Sequence, residues 1–106
     1  MDNEIFEKVR NWAQERDIAD GDAHAQFLKV AEELGEVAAA MARSELNDLV
    51  DSLGDITVTL IILAQQHGLR LEDCLESAYK VIRNRDGKLI NGVFVKSEDL
   101  KYESDR

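Results

Sequence analysis

Apolar residues recur at helical spacing in four segments of the chain. Ile5, Phe6, Val9, Trp12 and Ala13 mark a first helix, which Asp2 or Asn3 can cap and which should stop near Arg16. The stretch Asp17 to Asp22, with Gly21 inside it, reads as a polar turn. A second stripe, Phe27, Leu28, Ala31, Leu34, Val37, Ala38 and Met41, predicts a helix to roughly Arg43. Ser44 is the expected cap of a third, which runs through Leu46, Leu49, Val50, Leu53 and Ile56 to His67, with Gly68 at its stop. A fourth starts near Leu71, carries Cys74, Leu75, Ala78, Val81 and Ile82, and should end at Asp86-Gly87. Asn91-Gly92 between Leu89-Ile90 and Val93-Phe94-Val95 signals a short hairpin, and a mobile tail is expected from residue 97.

This pattern predicts an all-α fold: one domain over residues 1–106, a four-helix bundle followed by the hairpin or an extended tail. Ile56 to Ala64 is apolar almost all round, more than one antiparallel layer of four short helices can cover. The bundle is therefore expected to be completed by a second copy, as a homodimer or a dimer of dimers, with the third helices at the interface.

Composition narrows the setting. Among 106 residues there is no proline, and 13 basic against 22 acidic side chains give a formal charge of −9. That balance argues against a nucleic-acid backbone or an anionic membrane as partner, and an anionic substrate would need bound cations. The longest apolar stretch falls well short of the roughly 20 residues of a membrane span. The lone Cys74 excludes an intrachain disulfide, and the opening residues lack the features of a signal peptide, so a cytoplasmic location is expected.

The candidate chemistry lies in a pattern that occurs twice: acidic, any residue, Leu, Gly, acidic. It appears as Glu32-Glu33-Leu34-Gly35-Glu36 and as Asp51-Ser52-Leu53-Gly54-Asp55. A glycine within a helix costs about 1 kcal/mol relative to alanine, and like charges one turn apart repel, so neither choice favours the helix itself. On helical wheels Glu32, Glu33 and Glu36 share an arc of roughly 100°, opposite the apolar stripe centred near Leu34; Asp48, Asp51 and Asp55 lie within roughly 60°. A charged stripe of this kind is also what an ordinary solvated face looks like. The third helix tips the balance, because beyond Asp55 the same face carries Val58, Thr59 and Ile62 and must be covered. Small neighbours, among them Gly35, Ala39, Ala40 and Gly54, would let the clusters approach closely. Facing carboxylates in such a setting call for cations. Neither His24 nor His67 completes a Glu-x-x-His motif, so an all-oxygen site for Mg²⁺, or Mn²⁺ in its place, is expected. His67 reads as a helix C-terminal residue. Trp12 and Phe27 could stack on a base, although aromatics in an apolar stripe more often belong to the core.

With these pieces in order, the chain resembles the all-α nucleoside triphosphate pyrophosphohydrolases of the MazG type, in particular the short single-domain forms of bacteria and phages. The carriers are Trp12-Ala13-Gln14-Glu15-Arg16, Gln26 and Lys29 leading into Glu32-Glu33-Leu34-Gly35-Glu36, Leu53-Gly54-Asp55-Ile56, Lys80 with Asn84-Arg85, and the tail from Gly87 to Lys96.

The resemblance implies Mg²⁺-dependent cleavage of a nucleoside triphosphate between the α and β phosphates, releasing pyrophosphate, as in nucleotide pool cleaning or regulation. By position it implies Glu33 and Glu36 as metal ligands, Glu32 as a further ligand or water-orienting residue, and Asp55 as the matching ligand of the second box. Many relatives carry a glutamate where this chain has Ser52, and Asp51 is the expected substitute, with Asp48 beside it. Lys80 and Asn84 resemble positions that contact phosphates and base, with Lys29, Arg85 and Trp12 as further substrate contacts. Two other readings stand beside this one: a phosphoribosyl-ATP pyrophosphohydrolase, and a non-catalytic acidic helical dimerisation or regulatory module.

Overall fold

The computed structural model of the chain describes residues 4–104. In order, the elements are α1 (Glu4–Glu15), α2 (Ala23–Ala42), α3 (Leu46–Gln66), α4 (Leu71–Ile82), β1 (Gly87–Ile90), β2 (Val93–Lys96) and α5 (Ser97–Ser104). The expected caps of α1, Asp2 and Asn3, lie outside the described residues. The chain forms two compact units, one up to Cys74 and one from Leu75, so the division falls inside α4. Among the described residues no helix is long and apolar enough to cross a membrane.

In the first unit α2 and α3 form an antiparallel hairpin, and α1 packs on α3. The expected four-helix bundle is realised here as three helices and the opening turn of a fourth. The turn after α1 places Asp17 in the left-handed region (φ 60°), and Ile18 N–H donates to the Ala13 carbonyl. Asp22 caps α2, its side chain accepting from the His24 N–H at 3.0 Å. The expected cap of α3 is displaced by one residue. Closing the tight turn by Glu45 N–H to the Ala40 carbonyl puts Ser44 in the left-handed region (φ 54°), so Glu45 is the cap and makes no side-chain bond. Gly68, at φ 71°, ends α3 as expected.

The interior is small. Ala13, Ala40, Ile61, Ile62 and Ala64 are its buried apolar side chains among the described residues. The middle of α3 is partly covered by α1 and α2: Ile61, Ile62 and Ala64 are buried, while Ile56, Val58, Leu60 and Leu63 are half-buried. Other apolar side chains are more open: Leu34 is 60% exposed, and Met41, Leu46, Val50 and Leu53 are exposed too. Phe27 is also exposed, and does not belong to the core.

Polar side chains hold α1 in place. Buried Arg10 donates through both terminal nitrogens to the two carboxylate oxygens of Glu72, at 2.7 and 2.6 Å, and to Glu7 at 2.6 Å. Arg70 joins the same cluster through Glu7 at 2.9 Å and Glu72 at 3.2 Å. At the end of α3, Gln65 donates to the Arg10 carbonyl and Gln66 to the Ile18 carbonyl.

In the second unit β1 and β2 pair antiparallel from Gly87 opposite Lys96 to Ile90 opposite Val93. Asn91 and Gly92 form the turn at φ 52° and 81°, a two-residue turn whose backbone suits glycine and asparagine. α4 stops at Ile82, four residues before the expected end. Gly87 is already paired with Lys96, and the Asp86 carbonyl accepts from Ser97 N–H at 2.8 Å, so the chain has to leave the helix first. α5 packs on both strands where no element is expected from the sequence; residues 105 and 106 lie outside the description.

Two stability predictions follow from this packing. The Arg10 fork holds the Glu72 carboxyl at about 2, below its ordinary 4.5, against the opposing effect of burial. A depressed carboxylate contributes stability that is present above its unfolded pKa and is lost as pH falls toward the folded one. Urea unfolding across pH should show Glu72→Gln less stable by about 2 kcal/mol near neutrality, with the gap narrowing between about pH 4.5 and 2. Gly35 and Gly54, expected to permit close approach, face open space: a Cβ added at either meets nothing within 4 Å. Gly35→Ala and Gly54→Ala should each stabilise the helices by about 0.5 to 1 kcal/mol, read as a raised thermal midpoint by circular dichroism.

Candidate functional site

The register of α2 against α3 is pinned at both ends. Gln26 Nε2 donates to the Thr59 carbonyl at 3.1 Å, and Glu45 N–H donates to the Ala40 carbonyl at 3.2 Å. Glu33 is seven residues from Gln26 and from Ala40; Ser52 is seven from Thr59 and from Glu45. Two turns of helix separate each pair, so Glu33 and Ser52 stand level with one another. Both belong to the facing surfaces. Gln26, Val30, Glu33, Val37 and Ala40 are the buried or half-buried positions on that side of α2, and Leu49, Ser52, Ile56, Thr59 and Leu63 those of α3. The wheel opposite Leu34 is thus the seam itself, and the Leu34 side faces outward, the reverse of what the apolar stripe suggests.

The remaining acids step off this seam in the same rotational sense on both helices. Side chains displaced in that way from the facing line of two antiparallel right-handed helices emerge on one common edge of the pair. Lys29, Glu32 and Glu36 on α2 therefore share an edge with Asp48, Asp51 and Asp55 on α3. Phe27, Leu34, Met41, Leu46 and Leu53 emerge on the other. The acid edge continues past Asp55 to Val58 and Ile62, half-buried and buried, as the sequence pattern requires.

Partners separate the acids into two groups. Glu32 pairs with Lys29 and Asp48 with Arg43, each at 3.5 Å. Glu33, Glu36, Asp51 and Asp55 make no ion pair among the described residues, and of these Glu33 alone is half-buried. Among the described residues no group of three or more His, Cys, Asp or Glu side chains converges to enclose a metal. The donors are nonetheless of the kind a hard cation takes, charged oxygens only: Glu36, Asp51 and Asp55 lie on one edge and Glu33 in the seam beside it. Mg²⁺ is ordinarily bound by one or two carboxylates, with waters and substrate phosphates completing its shell.

Trp12, 45% exposed, is not a core residue. With Lys8, Val9 and Val58 it lines a pocket of about 340 Å³, and the Arg16 guanidinium lies 4.7 Å from its ring centre. Val58 is one turn beyond Asp55, which brings this aromatic shelf next to the acid edge. Lys80, Asn84 and Arg85 belong to the second unit. Lys80 is exposed and 3.6 Å from Glu76, Asn84 is exposed, and Arg85 lines a pocket of about 290 Å³ with Asp86, Lys96 and Ser97. His67 ends α3, its Nδ1 bonded to the Leu63 carbonyl at 2.9 Å. The residues that set this geometry and that sequence reasoning missed are Arg10, Gln65 and Gln66. The one signal for Arg10 is its place inside the stripe Phe6, Val9, Ala13.

Comparison with known proteins agrees with the helical architecture. The chain is 32% identical over 65 residues to an uncharacterized 18.2 kDa protein of the rep-hol intergenic region of Haemophilus phage HP1 (strain HP1c1). The aligned region is 60% of this chain and 40% of that protein, so the chain spans about two fifths of the curated relative that it matches. No solved structure matches. The phosphoribosyl-ATP pyrophosphohydrolase family matches residues 1–80, which include α1, α2, α3 and both acid boxes. The chain belongs to this family of MazG-like all-α pyrophosphohydrolases.

Proposed function

We propose that this protein is a Mg²⁺-dependent nucleoside triphosphate pyrophosphohydrolase, with Glu33, Glu36 and Asp55 as the residues that would hold the cation. The observation that carries the reading is the half-buried Glu33 in the α2–α3 seam, without an ion pair among the described residues and flanked on one edge by Glu36, Asp51 and Asp55, which have no cationic partner among them either. A bound Mg²⁺ would neutralise phosphate charge and lower the pKa of a coordinated water. The chain's own residues do the rest. Lys29, one turn before Glu33 on the acid edge, reaches toward phosphate oxygens, and the Trp12 shelf takes the flat ring of the base. Glu32, exposed on the same edge, takes the proton of the attacking water as the α–β anhydride bond breaks and pyrophosphate leaves. Lys80, Asn84 and Arg85 are further proposed substrate contacts.

The family match equally supports phosphoribosyl-ATP as the substrate, since the same bond is cleaved. Chromatography of the products from a panel of nucleoside triphosphates and phosphoribosyl-ATP distinguishes the two. A nucleoside monophosphate with pyrophosphate from a triphosphate is the expected outcome; turnover of phosphoribosyl-ATP alone would reassign the substrate.

The apolar edge carries a second part of the reading. Leu34, Met41, Leu46 and Leu53 are exposed together on a chain of charge −9, and a second copy meeting edge to edge buries them while keeping the two acid edges apart. A homodimer is expected by light scattering at micromolar concentration, and Leu34→Asp should convert it to a monomer.

Glu36→Gln and Asp55→Asn preserve size and helix while each removes a charged donor. Each should lower Mg²⁺-dependent pyrophosphate release by at least about 100-fold with an unchanged circular dichroism spectrum. Turnover retained in both variants would remove these carboxylates from the site.

A further inference from the structure

We infer that the pocket formed by the end of α4, β2 and the start of α5 is a binding site for phosphoryl groups, with Arg85 and Lys96 as its cationic donors. It lies wholly within the second unit and does not depend on a cation at the α2–α3 pair.

The pairing of the basic residues singles it out. Lys8, Arg10, Arg16, Lys29, Arg43 and Arg70, the described cations of the first unit, each have a carboxylate partner, and so does Lys80. Arg83, Arg85, Lys88 and Lys96 have neither an ion pair nor a side-chain hydrogen bond among the described residues. Of these only Arg85 and Lys96 are half-buried, and both line the same pocket of about 290 Å³. A cation that has lost part of its hydration without gaining a carboxylate is stabilised by an anion that enters from solvent. Asp86 and Glu98 on the same rim do not fill that role, since both are exposed and make no ion pair among the described residues.

The fold builds the pocket where its elements meet. Arg85 N–H donates to the Ile82 carbonyl as α4 ends, the Asp86 carbonyl accepts from Ser97 N–H at 2.8 Å, and Gly87 pairs with Lys96. A Cβ at Gly87 would run into the Val95 carbonyl and the Phe94 ring, so the strands close this tightly only around glycine, and Lys96 has no side chain opposite it across the ladder.

The class of ligand follows from the donors. A guanidinium supplies a planar fork and an ammonium a compact charge, a combination suited to the oxygens of a tetrahedral anion. Pockets for drug-sized ligands begin at about 300 Å³, so this one is small for a whole nucleotide and of a size for phosphoryl groups. A chain of charge −9 repels anions at long range, and a phosphate that binds it does so through local contacts of this kind. The phosphate chain of a nucleotide and free pyrophosphate or phosphate share that chemistry.

The test is calorimetric titration of the full chain with inorganic pyrophosphate in the presence of EDTA, which leaves the carboxylate edge no cation to bridge it to the anion. Backbone amide shifts by NMR locate the contact. Binding is expected, with shifts concentrated at Asp86 and from Lys96 to Glu98. Arg85→Gln and Lys96→Gln should each weaken it at least about tenfold, whereas Lys88→Gln, which removes the same charge from an exposed position of the hairpin, should change it by less than about threefold. Should either of the first two variants fail to fold, as judged by circular dichroism, the shift map of the unaltered chain and the charge-retaining Lys96→Arg, expected to bind within about threefold of it, still decide the matter. Absence of binding, shifts confined to other residues, or an equal loss in Lys88→Gln would overturn the site. A nucleoside triphosphate that shifts the same amides and competes with pyrophosphate identifies the occupant as the nucleotide's phosphates; shifts from the inorganic anion alone identify it as free pyrophosphate or phosphate, and either result upholds the site. Pyrophosphate binding here without pyrophosphate release from any nucleotide under Mg²⁺ upholds the site and retires the enzymatic reading alone.

Discussion

The antiparallel register of α2 on α3 is the constraint on which the first unit depends. Gln26 at one end and the Ala40–Glu45 turn at the other hold it, and between them it brings a glutamate and a serine face to face. A seam of this kind is ordinarily filled with apolar side chains, because a carboxylate loses hydration there and gains nothing unless it is paired. Here Val30, Val37, Leu49 and Ile56 supply the apolar contacts on either side, and Glu33 interrupts them at the midpoint. A one-residue slip in register would carry Glu33 away from Ser52 and the acid edge of one helix past that of the other.

α1 reinforces this arrangement through polar rather than apolar contacts. The Arg10 fork on Glu72 and the glutamine donors of Gln65 and Gln66 tie α1, and the turn after it, to the end of α3 and the start of α4. Hydrogen bonds are directional, so such ties fix where α1 lies along α3 more closely than a greasy contact would. That position matters, because α1 carries Trp12 and lays its ring one turn beyond Asp55. In so small an interior, where no large side chain is fully buried among the described residues, these polar ties carry much of the specificity of packing.

The two edges of the hairpin divide the chemistry. One gathers carboxylates, of which Glu36, Asp51 and Asp55 have no cationic partner among the described residues, and the other gathers exposed leucines and a methionine. Each is unfavourable for an isolated chain: the first by mutual repulsion, the second by its contact with water. Sequence periodicity alone reads this distribution inside out, because it assigns the broadest apolar stripe of α2 to the interior of the single chain. In the structure the narrower stripe running through Gln26, Glu33 and Ala40 meets α3.

The existence of α1 to α4, the stop at Gly68, the hairpin turn at Asn91-Gly92, the all-α class and the doubled acid box were legible in the sequence, because each depends on local backbone preference or on a short spacing; α5 was not. The run of the acid face of α3 into a covered surface was legible too, from Val58 and Ile62. What only the tertiary structure decided is which face of each helix meets which. Arg10 and Glu72 are 62 residues apart, and no local pattern relates them. Ser44 lost its cap to Glu45, and α4 ended early, because closing a turn or pairing a strand claimed the backbone groups that the local signals had left open. The register that sets Ser52 rather than Asp51 opposite Glu33 has the same origin. A helix of period 3.6 presents several plausible faces, and the choice among them belongs to the neighbours it packs against.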